Sequence, residues 1–98
     1  MEIIKKIDGC YGYIKVIGRL DTMTSPALEA ELKEVIGDLE ELEFDFEKLE
    51  YISSAGLRVL LSAMKTMNRQ GTMVVKNVSD DVMDIFEVTG FTDILNIE

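Results

Sequence analysis

The sequence predicts one α/β domain with a mixed β-sheet of about five strands and helices packed against it. Two periodicities and one turn signal carry that expectation. Leu42, Phe44 and Phe46 alternate with Glu43, Asp45 and Glu47, a strand repeat, whereas Leu57, Leu60, Leu61 and Met64 recur at i, i+3, i+4 and i+7, a helix repeat. Two strand-like runs meet at Asp8-Gly9, a hairpin signal. Strand and helix patterns then alternate, so right-handed crossovers return the chain to one sheet. The chain has 98 residues, the size of a single domain with a modest core, and no repeat or linker divides residues 1–98.

In chain order, Ile3–Ile7 and Tyr11–Ile17 form the hairpin, with Tyr11, Tyr13 and Val16 favouring extended backbone. Ser25 caps and Pro26 opens a first helix whose Leu28, Leu32, Val35, Ile36 and Leu39 share one face, and Gly37 weakens its last turn. A strand over Leu42–Phe46 leads through Ser53-Ser54 into a second helix, which stops near Gln70-Gly71. Met73, Val74 and Val75 form another strand. Ser79 followed by Asp80 and Asp81 starts a third helix, with Val82, Ile85 and Phe86 inward and Gly90 at its end. Ile94–Ile97 supplies a short last strand.

Composition narrows the function. Hydrophobic residues make up 47% of the chain and there is one Pro, so it reads as folded throughout. Ten Lys and Arg against nineteen Asp and Glu give a net charge of −9, which repels a phosphate backbone and argues against nucleic acid. The charge is uneven, because Tyr51 to Ser79 carries Arg58, Lys65, Arg69 and Lys76 and no acid. Arg58, Ser62, Lys65 and Arg69 lie on one stripe, either a solvated face or a partner contact. The single Cys10 forms no internal disulfide, and no His is present, so no zinc site is expected. The first residues lack the apolar run of a signal peptide or membrane span, and a reducing cytoplasm is expected.

The segment Leu49-Glu50-Tyr51-Ile52-Ser53-Ser54-Ala55-Gly56-Leu57 places two hydroxyls where a helix begins. A Ser there commonly caps the helix by accepting from one of its unpaired N–H groups. The same N–H groups and the positive dipole end also suit a phosphate. Gly56 in the first turn costs roughly 1 kcal/mol relative to Ala in a helix interior, so close packing or an approaching partner must account for it. No His pairs with a nucleophile and no Gly-Lys-Ser/Thr loop is present, so an enzyme is not expected.

This segment resembles the signature of STAS-domain anti-sigma factor antagonists. Gly18-Arg19-Leu20-Asp21 with Thr24, and Met83 through Phe91, resemble the family's Gly-x-Leu-Asp turn and its closing helix and Gly-Phe loop. The resemblance covers essentially the whole chain and implies the strand order and helices on one face of the sheet. It also implies that Ser54 is the phosphoacceptor, aligned on Gly56-Leu57. Ser53 stands where the family carries Asp and is a rival acceptor, and Ala55 replaces a second hydroxyl. Asp21, Thr22, Thr24, Ser53, Gly56, Leu57 and Arg58 are the implied partner contacts. The partners implied are an anti-sigma factor that is itself a serine kinase, and a serine phosphatase. ATP and magnesium belong to the kinase, so no cofactor or metal is expected in this chain. The rival reading is a docking subunit of another signalling or lipid-transport assembly, with Ser54 acting only as a cap.

Overall fold

The computed structural model describes residues 1–98, in the order β1 Glu2–Asp8, β2 Tyr11–Leu20, α1 Ser25–Val35, β3 Glu41–Asp45, β4 Leu49–Ile52, α2 Ser54–Asn68, β5 Thr72–Lys76 and α3 Asp80–Thr89. Five strands make one mixed sheet. β1 and β2 are antiparallel, joined by a two-residue turn with Gly9 at φ 60°, the positive value that the first position of a type II′ hairpin requires. β2 runs parallel to β3 and β4, and β3 parallel to β5.

The sheet has two unlike faces because side chains alternate along each strand. Ile14 and Val16 of β2, Leu42 and Phe44 of β3, and Met73 and Val75 of β5 are buried and join Leu28 and Leu32 of α1 and Leu60, Met64 and Met67 of α2 in one core. The opposite face is polar. Tyr13 donates to Asp45 Oδ2 at 2.6 Å, Asn77 Nδ2 donates to Asp45 Oδ1 at 3.1 Å, and Tyr11 donates to Glu43 at 3.0 Å. Val82 and Phe86 of α3 enter the same core, and α3 packs on β4.

The expectation of five strands holds, but their identities shift. After β3 the chain turns at Phe46–Lys48 and resumes as β4 along β2. From Lys15 to Leu20 is five steps along β2, whereas the residues opposite, Asp45 to Ile52, are seven apart. One extra residue is taken up in the Phe46–Lys48 turn, before Leu49 pairs with Gly18, and the other at the register break between Gly18 and Arg19. The interruption hid β4 from a search for alternation, since Leu49 and Ile52 are buried at a spacing of three. The expected strand Ile94–Ile97 reduces to a single bridge between Ile97 and Val75.

Helix boundaries differ at two caps. Ser25 does not cap α1: it is the first helical residue, and its hydroxyl donates to the Asp21 carbonyl at 2.6 Å. The helix tightens after Val35 into a 3₁₀ turn, Ile36–Asp38, which contains Gly37. α2 ends at Asn68, after which Gln70 donates to the carbonyls of Ile36 and Leu39 at 2.6 and 2.7 Å and ties the two helix ends together. Ser79 does cap α3, accepting from the Val82 amide at 3.3 Å.

Candidate functional site

The start of α2 and the Asp21–Thr24 loop meet because β2 and β4 are neighbours. Both strands end at the same edge of the sheet, Leu20 opposite Ile52, and the Ser53 amide donates to the Leu20 carbonyl at 2.9 Å. The chain leaving β2 therefore lies beside the chain entering α2.

Ser54 is exposed and is the first residue of α2. The helix ladder begins with the Leu57 amide on the Ser53 carbonyl at 2.9 Å. By helix geometry the amides of Ser54, Ala55 and Gly56 precede that ladder and lack intrahelical acceptors. No acid occupies this first turn to meet its positive end. Arg58, one turn on, is exposed and makes no ion pair.

Ser53 behaves differently. Its backbone is extended, with φ −95° and ψ 177°, and its side chain makes no capping bond. Its Oγ is buried and has no hydrogen-bond partner. The capping role expected of a Ser at this junction is therefore not exercised by Ser53, and its hydroxyl faces protein rather than solvent.

Gly56 and Leu57 were expected at a partner surface, and both are buried. A Cβ on Gly56 would stand 2.7 Å from Ile52 Cγ1, 2.9 Å from Leu20 Cγ and 3.0 Å from the Leu20 carbonyl oxygen. Close packing on the ends of β2 and β4 accounts for the glycine. Leu57 is 6% exposed and belongs to the core. Both residues pack under the first turn of α2, next to Ser54.

The Asp21–Thr24 loop is held by its own side chains. Asp21 Oδ1 accepts from the amides of Met23 at 3.0 Å and Thr24 at 3.1 Å. Thr24 Oγ1 accepts from the Asp21 amide at 2.9 Å and donates to the Arg19 carbonyl at 2.8 Å. The Thr24 amide, followed by its hydroxyl and the Met23 amide, holds the Asp21 carboxyl below its ordinary value against a partial desolvation, with Arg19 adding to the effect. Arg19 lies 4.5 Å from the centre of the Tyr51 ring, a cation–π contact between β2 and β4. A small cleft of about 160 Å³ runs between Thr22 and Pro26 on one side and Ala55, Arg58 and Val59 on the other.

Met23 was missed from the sequence. It is 88% exposed at the tip of this loop. The signal was an apolar residue inside an otherwise polar turn, with no strand or helix repeat to bury it. The largest depression, about 670 Å³, lies elsewhere, between Ile17, Glu47–Glu50 and the start of α3; it is a wide, open groove. No three carboxylate or thiol side chains converge to hold a metal ion, and no helix is long and apolar enough to cross a membrane.

Comparison with known proteins gives this geometry a family. The STAS domain matches residues 3–98. The anti-sigma-B factor antagonist of Listeria monocytogenes is 32% identical over 99 residues, covering 97% of this chain and 85% of that protein. A putative anti-sigma factor antagonist of Bordetella bronchiseptica, BtrV, is 35% identical over 82 residues, covering 82% of this chain and 71% of its own length. Among solved structures, the unphosphorylated form of the anti-sigma factor antagonist SpoIIAA superposes with a TM-score of 0.78 at 18% identity, over 99% of this chain and 87% of that one. The phosphorylated form, described as a Bacillus cell fate determinant, gives 0.77 at 19% identity, over 99% and 91%. A mixed five-stranded sheet, a serine at the start of α2 and a family match over nearly every residue agree: the chain belongs to the STAS-domain family.

Proposed function

We propose that the protein is an anti-sigma factor antagonist, a binding protein without catalytic activity that acts in the cytoplasm. In its unmodified form it binds an anti-sigma factor and so frees the sigma factor held by it. Phosphorylation of Ser54 by a serine kinase, the anti-sigma factor itself, switches it off, and a serine phosphatase resets it. The observation that carries this reading is the exposed Ser54 on the first turn of α2, beside the hydrogen-bonded Asp21–Thr24 loop. Ser53, the rival acceptor, has its hydroxyl buried.

A phosphate adds about −1.5 to −2 charges at neutral pH, and the free amides of the helix start and Arg58 stabilise it in place. The domain then keeps its fold, and the effect falls on the interface. A hydrated dianion at the centre of a close contact with the kinase lowers affinity by sterics and desolvation. Asp21, Thr22 and Thr24 supply the second side of that contact, and Gly56 and Leu57 support it from below.

The test is intact mass and site mapping after incubation with ATP, magnesium and anti-sigma kinases of the host. One phosphate is expected, retained in Ser53→Ala and lost in Ser54→Ala. Loss only in Ser53→Ala moves the acceptor by one residue. Tight binding to a kinase that transfers no phosphate rejects the switch and leaves a constitutive docking subunit.

A further inference from the structure

We infer that the free edge of β1 is a self-pairing surface, through which two copies of this chain join their sheets about a two-fold axis at Ile4. The two edges of the sheet are not alike. On the far side, the chain end crosses β5: the Val75 amide donates to the Asn96 carbonyl and the Glu98 amide to the Val75 carbonyl, both at 2.9 Å. β1 has β2 on one side and nothing on the other. It is seven residues long, contains no Pro, and pairs without a bulge from Glu2 to Asp8. Natural sheets blunt such an edge with Pro, a bulge or charged side chains. Here only charges are present, Glu2, Lys5, Lys6 and Asp8, and they are of both signs, so they can pair across an edge as well as repel.

The hairpin determines which backbone groups are free. In a two-residue hairpin the closing pair, here Asp8 and Tyr11, is hydrogen-bonded, and the pattern alternates from there. Asp8, Lys6, Ile4 and Glu2 turn their amides and carbonyls toward β2. Ile3, Lys5 and Ile7 turn theirs outward. A second β1 must therefore pair odd residues with odd residues, which leaves few antiparallel registers.

Side chains choose among them. With Ile4 opposite Ile4, Ile3 bonds with Lys5 of the other copy and Glu2 stands opposite Lys6 twice. That register places two opposite-charge pairs around a β-branched pair, and both kinds of pair stabilise a ladder. Glu2 and Lys6 make no ion pair within the chain and are exposed, so both are available. Moving the register two residues one way puts Lys5 against Lys5 and Glu2 against Asp8, like charges in both cases. The other way sets Glu2 against Ile4 and loses the ion pairs. Glu2–Asp8 carries two acids and two bases in a chain of net charge −9, so this edge is locally neutral and adds little of its own to the repulsion between two acidic molecules.

Sedimentation equilibrium over a concentration series tests the inference on the wild-type chain, Lys6→Glu, and the swap Glu2→Lys with Lys6→Glu. A reversible dimer is expected, weakened about tenfold or more by Lys6→Glu and restored by the swap. Neither side chain contacts the core, so circular dichroism should be the same for all three. A chain that stays monomeric up to about 1 mM, where association is worth little, overturns the inference and leaves the edge to a strand from another protein. A dimer indifferent to Lys6→Glu overturns it as well.

Discussion

The Ser53 amide donates to the Leu20 carbonyl at 2.9 Å, and this one bond sets the distance between the Asp21–Thr24 loop and the first turn of α2. Loop and helix start come from segments thirty residues apart in sequence. The sheet brings them together because β2 and β4 end side by side, and Gly56 lets the helix settle onto those ends. Ser54 is thus displayed on a rigid corner instead of on a mobile loop.

Ser53→Ala should leave stability unchanged or raise it by about 1 kcal/mol, because the substitution removes a buried hydroxyl that has no partner. Urea denaturation measures this. A loss of more than about 1 kcal/mol, the usual cost of deleting a cap, would mean that the hydroxyl is bonded in solution.

Gly56→Ala should destabilise by about 1–3 kcal/mol, since the new methyl meets Ile52 and the Leu20 carbonyl at 3.0 Å or less. It should also weaken kinase binding, because relief of the clash moves Ser54. Gly37→Ala is the comparison: a Cβ there meets nothing within 4 Å, and a gain of up to about 1 kcal/mol is expected from the unfolded state. Equal effects at the two positions would contradict the packing argument.

Asp21→Ala should lower affinity for an anti-sigma kinase about tenfold with little change in melting temperature, because the Met23 and Thr24 amides lose their acceptor and the loop loosens. Asp21→Asn keeps an oxygen in place and should retain most of the affinity. Titration calorimetry of both variants separates a role in shaping the loop from a direct charge contact, which Asn would also abolish.

Stability should fall at both ends of the pH scale through one contact, the Tyr13–Asp45 hydrogen bond on the open face. Partial burial works against the charge on Asp45, but hydrogen bonds from Tyr13, the Glu47 amide and Asn77, with nearby Lys15, outweigh it and hold the carboxyl below 3.8. A depressed acid stabilises the fold above its unfolded pKa, and this is lost as pH falls below about 4. Tyr13 is pushed up to about 12, first by its bond to Asp45, then by burial and the neighbouring acids. A raised phenol stabilises below about 10 and loses that contribution as pH rises toward 12. Tyr13→Phe should flatten the alkaline limb of a stability–pH curve; an unchanged limb would refute the assignment.

The amino-acid sequence alone determined the α/β class, the hairpin at Asp8-Gly9, the three helices and the helix-start serines, because each rests on local spacing: period two, period 3.6, and turn chemistry. Resemblance to the Gly-x-Leu-Asp turn, not spacing, marked Asp21 and Thr24 as part of a turn. Tertiary packing decided the rest. Leu49–Ile52 became a strand because β2 offers it a parallel partner, a pairing between distant segments that no window of sequence contains. Ser53 and Ser54 are chemically identical neighbours, and the tertiary fold buries the hydroxyl of one and leaves the other residue exposed. Gly56 and Leu57 are buried on the same grounds: a helix start tells which residues stand first, whereas the sheet beneath it decides which of them face outward.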